Sequence, residues 1–228
     1  ASWQRDGTRA AARLRACTAV AACDGSLSRG VYAITGGLGG LGLRAAAMLV
    51  GSGSPGIVLS SRSGRVPRGT EADARACPYA TYRLTASDVS DRAEALPLAA
   101  PVPLAGVLHA AGALYDAMLR SMSNRHFDAS FAPKALGASG LWATVARTPL
   151  EAFGLFSSVA STFGNVGQAN YAAANAYLDA LARCRRRVGT PSSSLQIPAV
   201  RGSGMGAATF SEEQLDAIGA VSLSHFAL

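Results

Sequence analysis

Four side chains in this sequence have the types and spacing for carbonyl chemistry. Tyr171 and Asn175 lie four residues apart in a stretch of helical character, so they share one face. Ser157 and Ser158 close an apolar run, and Lys134 sits upstream in Phe131-Ala132-Pro133-Lys134. Lys134 is the single lysine of a chain that otherwise uses arginine. A phenol has a reference pKa of about 10 and is a poor acid or base at neutral pH. A nearby ammonium lowers that value by favouring phenolate, the task expected of Lys134. Ser158 would donate a hydrogen bond to a carbonyl oxygen as negative charge develops on it. Tyr171 would deliver the proton, and Asn175 would orient water or the lysine.

A second group of residues suits a dinucleotide. Thr35-Gly36-Gly37-Leu38-Gly39-Gly40-Leu41-Gly42 follows an apolar run and opens a run of small and apolar residues. Gly37, Gly39 and Gly42 satisfy GxGxxG in the strand-turn-helix context that motif requires. The helix N-terminus attracts a pyrophosphate, and glycines let it approach the backbone. The acidic residue that would hold a free ribose 2′-hydroxyl about 20 residues on is missing. Ser60-Ser61-Arg62-Ser63 stands there instead. A guanidinium flanked by hydroxyls suits a 2′-phosphate, so NADP(H) is expected over NAD(H). Asp88 could accept a hydrogen bond from an adenine amino group or serve as a turn residue. Ala110, Ala111 and Gly112 are small enough for a cofactor to lie across them, and His109 is expected to be structural.

These residues need a scaffold, and the apolar pattern supplies one. Strands are expected at Val31 to Thr35, Ile57 to Ser60, Ala80 to Leu84, Leu104 to His109, Glu151 to Phe156 and Ser193 to Ile197. Between them, helices are expected over Gly40 to Val50, Glu71 to Cys77, Asp91 to Leu96 with Ser90 as N-cap, Asn124 to Arg147, and Gln168 to Val188. Regular alternation predicts an α/β, Rossmann-like, doubly wound parallel sheet in three layers, α/β/α. Residues 1–30 are a tail, with Ala10 to Cys17 of helical character. Gly202 to Leu228 is glycine-rich, then polar and helical, with no strand.

Bulk composition narrows the function classes. The chain has 228 residues, 49% of them hydrophobic, and a formal net charge of +7. No apolar run reaches the ~18 residues of a membrane span, and the first residues lack a signal sequence. The arginines are scattered apart from Arg185-Arg186-Arg187, a cluster favoured at a helix C-terminus. Nucleic-acid and membrane partners are therefore not expected. Cys17, Cys23, Cys77 and Cys184 fit neither a zinc pattern nor a disulfide framework and read as free thiols.

The pattern resembles the ketoreductase domain of modular polyketide synthases and animal-type fatty acid synthases, within the short-chain dehydrogenase/reductase superfamily. The likeness rests on the glycine loop, Ser61-Arg62, Asp88-Val89, His109-Ala110-Ala111-Gly112, Ala132-Pro133-Lys134, Phe156-Ser157-Ser158-Val159-Ala160 and Gly167 to Asp179. Asn four residues after the tyrosine, with lysine on the earlier segment, is similar to domains embedded in megasynthases.

The resemblance implies NADPH-dependent reduction of a β-ketoacyl thioester to the β-hydroxyacyl thioester. The substrate would ride on the phosphopantetheine of an acyl carrier protein domain. It also implies neighbouring synthase domains and a cytoplasmic location as part of a larger polypeptide. Residues 1–30 would then be the remnant of an upstream structural subdomain, and 31–228 a catalytic domain lacking its last helix and edge strand. Leu114-Tyr115-Asp116 keeps half of a Leu-Asp-Asp signature for B-type products, and Phe163 stands where the opposing class carries Trp. Pro198 would shape the nicotinamide pocket, although the Trp-Gly pair usual after the sixth strand is absent. Met205, in Gly202-Ser203-Gly204-Met205-Gly206, would contact the acyl group from a lid or belong to an ordinary loop. Two alternatives remain open at this point: a silent module that keeps the fold, and a free-standing reductase of another carbonyl.

Overall fold

A computed structural model describes residues 2–3, 9–10, 30–67, 81–99, 104–202, 205, 211–217 and 219–222. Six strands form one sheet: β1 (Val31–Thr35), β2 (Gly56–Ser61), β3 (Thr81–Ala86), β4 (Leu104–His109), β5 (Ala152–Ser158) and β6 (Ser193–Ile197). Their order is β3-β2-β1-β4-β5-β6, and every neighbouring pair is parallel. The order reverses beside β1, where β1 pairs with both β2 and β4. Such a switch point opens a crevice at the carboxyl ends of the strands.

The central strands read as unbroken apolar runs because both faces are covered. On one side Tyr32, Ile34, Ile57 and Leu59 pack with Leu43, Ala46 and Leu49 of α1 (Gly40–Gly51). On the other, Ala33, Val58, Val107, Phe153 and Leu155 pack with Leu141 and Val145 and with Leu178 and Leu181. Alternate residues of one strand thus serve opposite cores, the signature of a three-layer fold.

The long helix expected from Asn124 to Arg147 is three segments: α3 (Asn124–Phe131), a π-turn (Ala132–Leu136) and α4 (Gly137–Thr144). Pro133 has no N–H to give the ladder, and the widened π register absorbs that loss. Lys134 lies on this turn. The helix before β4, α2 (Arg92–Ala99), is capped by Asp91 rather than Ser90: the Asp91 carboxylate accepts the Ala93 N–H at 2.8 Å. Ser90 donates to Asp88 instead.

After β5 come a short α5 (Ala160–Phe163) and the long α6 (Ala169–Arg187). The sheet ends on β6, and among the described residues no seventh strand joins it. The C-terminal region does hold a strand, contrary to the sequence expectation. Val221–Ser222 pairs in parallel with Val200–Arg201 just beyond β6. Arg201 also bridges to Glu212 and Asp216, fastening α7 (Glu212–Ala217) there. A two-residue antiparallel ladder joins Ser2–Trp3 to Arg9–Ala10. The helices expected at Ala10 to Cys17 and Glu71 to Cys77 lie outside the described residues.

Candidate active site

A cleft of about 880 Å³ runs along the carboxyl ends of the sheet strands. One end is built by the glycine loop between β1 and α1. Gly36 has a φ of +65°, and a Cβ there would stand 2.6 Å from the Ala111 nitrogen. At Gly42 a Cβ would meet the Gly36 carbonyl at 2.6 Å. Only glycine therefore lets the loop, α1 and the end of β4 meet this closely. The N-cap of α1 is Gly39, which offers no side-chain oxygen to the helix N–H groups. Those donors remain available to an anion.

Gly36, Leu38, Gly39, Gly40, Leu41 and Gly42 line the cleft, as do Ala110, Ala111 and Gly112 across from them. Two residues expected to face a cofactor do not. Gly37 turns its Cα toward Ile34 and Leu59. Thr35 is 1% exposed and bonded to His109. Both shape the loop from behind.

Ser61 and Arg62 line the far end beyond β2, with Asp88 and Val89 beside them. Arg65 lines the same end, a second guanidinium that the motif reading did not single out. Hydrogen bonds from Ser90 hold the Asp88 carboxyl below the usual carboxylate range, against the opposing effect of burial, and Arg62 adds to the lowering.

The other end of the cleft gathers Lys134, Ser158 and Tyr171. Lys134 is 2% exposed, and its Nζ donates to the Phe156 carbonyl at 2.9 Å. That Nζ stands 5.4 Å from the Tyr171 ring centroid. Gly112 makes room for it, since a Cβ there would come within 2.9 Å of the lysine Cε. Burial pulls the lysine down to about 8, and the negative charge of Asp179 opposes the fall.

His109 fixes the turn that carries the lysine. Its Nε2 bonds the Lys134 carbonyl at 3.0 Å, and its Nδ1 bonds Thr35 Oγ1 at 2.7 Å. A carbonyl only accepts, so Nε2 carries the proton and the threonine hydroxyl donates to Nδ1. Burial first, and the lysine charge second, lower this imidazole to about 3. His109 is thus structural, as its sequence position suggested.

Ser158 Oγ accepts the Ala160 N–H at 3.2 Å, which leaves the hydroxyl proton for another acceptor. Tyr171 departs from expectation. Burial pushes its phenol above the ordinary value, hydrogen bonding to Asn175 and Ser158 pulls it down, and Asp116 raises it again. The expected lowering by Lys134 is not found, and burial is the largest influence on the phenol. Asn175 is fully buried and does not line the cleft. Its Nδ2 donates to the Tyr171 carbonyl at 2.8 Å, and its Oδ1 is buried without a partner.

Phe163, Pro198 and Met205 line the same end, and Phe163 is 65% exposed. Asp116 is exposed and does not line the cleft, and it accepts from Gln168 Nε2 at 3.0 Å. Gln168 and Asn165 also line the cleft, and an Asn165-to-Gln168 bond links them. Their place just before Tyr171 was the available signal for them.

This arrangement sets a glycine loop, a helix N-terminus and two guanidiniums at one end and concentrates a hydroxyl, a phenol and an amine at the other. Comparison with known proteins gives it a family. The KR domain model matches residues 30–202. The spectinabilin polyketide synthase system protein NorB of Streptomyces orinoci is 41% identical over 83% of this chain and 9% of its own length. Polyketide synthase GfsB of Streptomyces halstedii is 45% identical over 73% of the chain and 3% of its length. The chain therefore spans under a tenth of these relatives. Among solved structures, one of A-type ketoreductases from a modular polyketide synthase superposes with a TM-score of 0.79 at 35% identity. That match covers 86% of this chain and 43% of the other. The first ketoreductase of the tylosin synthase gives 0.76 at 37% identity, covering 86% and 44%. With this sheet, this cleft and these matches, the chain belongs to the KR domain family, the ketoreductases of polyketide synthases.

Proposed function

We propose that this chain is an NADPH-dependent ketoreductase that converts a β-ketoacyl thioester, carried by an acyl carrier protein domain, into the β-hydroxyacyl thioester. The observation that carries this reading is the meeting of Ser158, Tyr171 and Lys134 in one cleft with the glycine loop. When bound, NADPH would supply hydride to the β-carbon. The glycine loop and the N-terminus of α1 would hold its pyrophosphate. Arg62, with Ser61 and Arg65, would take the 2′-phosphate, and Asp88 and Val89 would bound the adenine. Pro198 would flank the nicotinamide end.

The residues of this chain do the rest. The Ser158 hydroxyl, its oxygen already engaged by the Ala160 N–H, donates to the substrate carbonyl. Tyr171 is a phenol at neutral pH, since an ordinary value of about 10 is raised further by burial, so it holds the proton that the forming alkoxide needs. Lys134 lines this end and, with one N–H given to the Phe156 carbonyl, has further N–H donors for the bound cofactor or substrate. Asn175 secures the tyrosine backbone, and its open Oδ1 can accept from a water that returns a proton. Phe163 and Met205 provide apolar surface for the acyl chain.

A carrier domain of acidic character suits the +7 charge. The great length of the relatives is in keeping with neighbouring synthase domains. Asp116, held by Gln168 beside the cleft, supports a B-type product. Chiral analysis of that product tests the assignment.

Incubating the chain with NADPH and a β-ketoacyl thioester tests the function. Cofactor consumption that needs both reactants, and that Tyr171→Phe abolishes, is expected. Tight NADPH binding with no turnover of any β-ketoacyl thioester would overturn the reading in favour of a silent module.

A further inference from the structure

We propose that Asn170 is a positioning residue: its buried amide clamps the segment after β4 to the start of α6, and so fixes which face of a substrate carbonyl meets the hydride. Asn170 immediately precedes Tyr171 and is fully buried. Its Nδ2 donates to the carbonyls of Tyr115 and His126, each at 2.8 Å, and lies 3.1 Å from Ser130 Oγ. Its Oδ1 accepts the backbone N–H of Tyr171 at 2.9 Å. Turning the amide over would set its oxygen against two carbonyls, so the orientation is fixed. A carboxylate of the same size has no donor for those carbonyls, and an aliphatic side chain has neither donor nor acceptor.

These bonds join three elements at the substrate end of the cleft. Tyr115 follows Ala113 and Leu114, which line the cleft. His126 and Ser130 belong to α3, which runs directly into the π-turn bearing Lys134. Tyr171 lines the same end with Phe163 and Gln168. The Ala117 N–H donates to the Gly167 carbonyl at 2.9 Å, so the two segments already meet at one point. One point alone is a hinge, and the Asn170 amide supplies a second, buried one that sets their separation. The Asp116–Gln168 bond crosses the same gap, but Asp116 is exposed and water competes for it.

This inference rests on the carbonyl-reduction reading. In that reaction hydride from NADPH goes to the carbonyl carbon, and the Tyr171 proton goes to the oxygen held by Ser158. With both sources fixed, the two faces differ only in which substituent, thioester arm or acyl chain, lies against Leu114 and which against Phe163. A fixed gap admits one arrangement, and a slack gap admits both, which gives opposite enantiomers.

Amide hydrogen exchange and chiral analysis of the product test the clamp together. Asn170→Leu is nearly isosteric and removes every bond of the amide. In the chain without cofactor, the Tyr171 amide should exchange at least about tenfold faster, the scale of one lost buried hydrogen bond. With NADPH and a β-ketoacyl thioester, the minor enantiomer should rise by about tenfold or more, while NADPH affinity stays within about twofold because the glycine loop is untouched. Arg185→Ala, at a buried site that does not line the cleft, controls for lost stability and should leave the enantiomer ratio at its wild-type value. Should Asn170→Leu not fold, Asn170→Ser keeps an acceptor but cannot span to both carbonyls, and should shift the ratio likewise. An unchanged ratio in a folded variant, or an equal shift in Arg185→Ala, overturns the proposal. A wild type that reduces no thioester sinks the functional reading instead, and the exchange rate at Tyr171 then still decides whether the clamp exists.

Discussion

His109 Nε2 donates to the backbone carbonyl of Lys134 across 3.0 Å. Through its other nitrogen the same ring takes the hydroxyl proton of Thr35, the last residue of β1. One buried imidazole thereby ties the start of the glycine loop to the turn that presents the lysine. The two ends of the cleft share this brace.

Replacing His109 by leucine should strand the Thr35 hydroxyl and the Lys134 carbonyl in the interior. A loss on the order of 2–4 kcal/mol is expected, since each unsatisfied buried group costs about 1–3 kcal/mol. Urea titration checks it. The wild type also acquires an acid sensitivity here. Unfolded histidine binds its proton near 6.5, but the folded ring does so only near 3. Between those values the unfolded state holds more protons, so stability falls as pH drops through that window. His109→Gln should flatten that part of the stability profile.

Reduction should decline as pH rises through about 8, because Lys134 then loses its proton. An unperturbed lysine, at about 10.4, would sustain activity two units further. No acid limb from His109 is expected near 6.5, given its neutral state. The pH dependence of kcat, measured with saturating cofactor, reads both limbs. A limb at 10 would show that the amine is far better solvated during turnover.

Cofactor choice should depend on Arg62. Losing a charge-assisted hydrogen bond of about 1.5–3 kcal/mol corresponds to roughly a 10- to 150-fold loss. Arg62→Ala should therefore reduce kcat/KM for NADPH by that range while leaving NADH nearly unchanged. Parallel kinetics with the two cofactors distinguish this from general damage.

Arg185 offers a stability test away from the cleft. It is 3% exposed, with its guanidinium carbon 4.1 Å from the Phe153 ring centroid and 5.5 Å from that of Trp142. Its Nε and Nη1 have no hydrogen-bond partner. Burial lowers its affinity for the proton, a sign of an uncompensated charge. Arg185→Met keeps the packed stem and removes the charge, so stability should hold or rise by about 1 kcal/mol. Arg185→Ala also opens a cavity and should cost about 2 kcal/mol or more. Thermal melts of the pair check the contrast.

The four inner strands were legible because each is a short, largely apolar run, as burial on two faces requires, whereas the edge strands β3 and β6 are more polar and more exposed. The glycine loop and the Tyr171–Asn175 spacing were legible for a similar reason: backbone geometry dictates them locally. Features set by tertiary context were not. Pro133 signals a disturbance in a helix, but a π-turn that aims Lys134 depends on what packs against it. Tyr171 was expected to be lowered by the lysine, and its burial decided otherwise. Thr35, Gly37 and Asn175 belong to the right elements yet stand behind the cleft, a matter of side-chain direction. Asp179 follows Tyr171 at helical spacing, so its face was readable, but its donors come from two other elements, α5 and β6.

The central claim is that Tyr171 gives the proton while NADPH gives the hydride to one carbonyl carbon. NADPH deuterated at its transferable position, mixed with a β-ketoacyl thioester, tests this most directly. The account predicts deuterium on the β-carbon of the hydroxyacyl product. It also predicts a rate for Tyr171→Phe lower by about 10²–10⁴, with NADPH affinity retained. Product lacking the label, or Tyr171→Phe turning over at the wild-type rate, would contradict it.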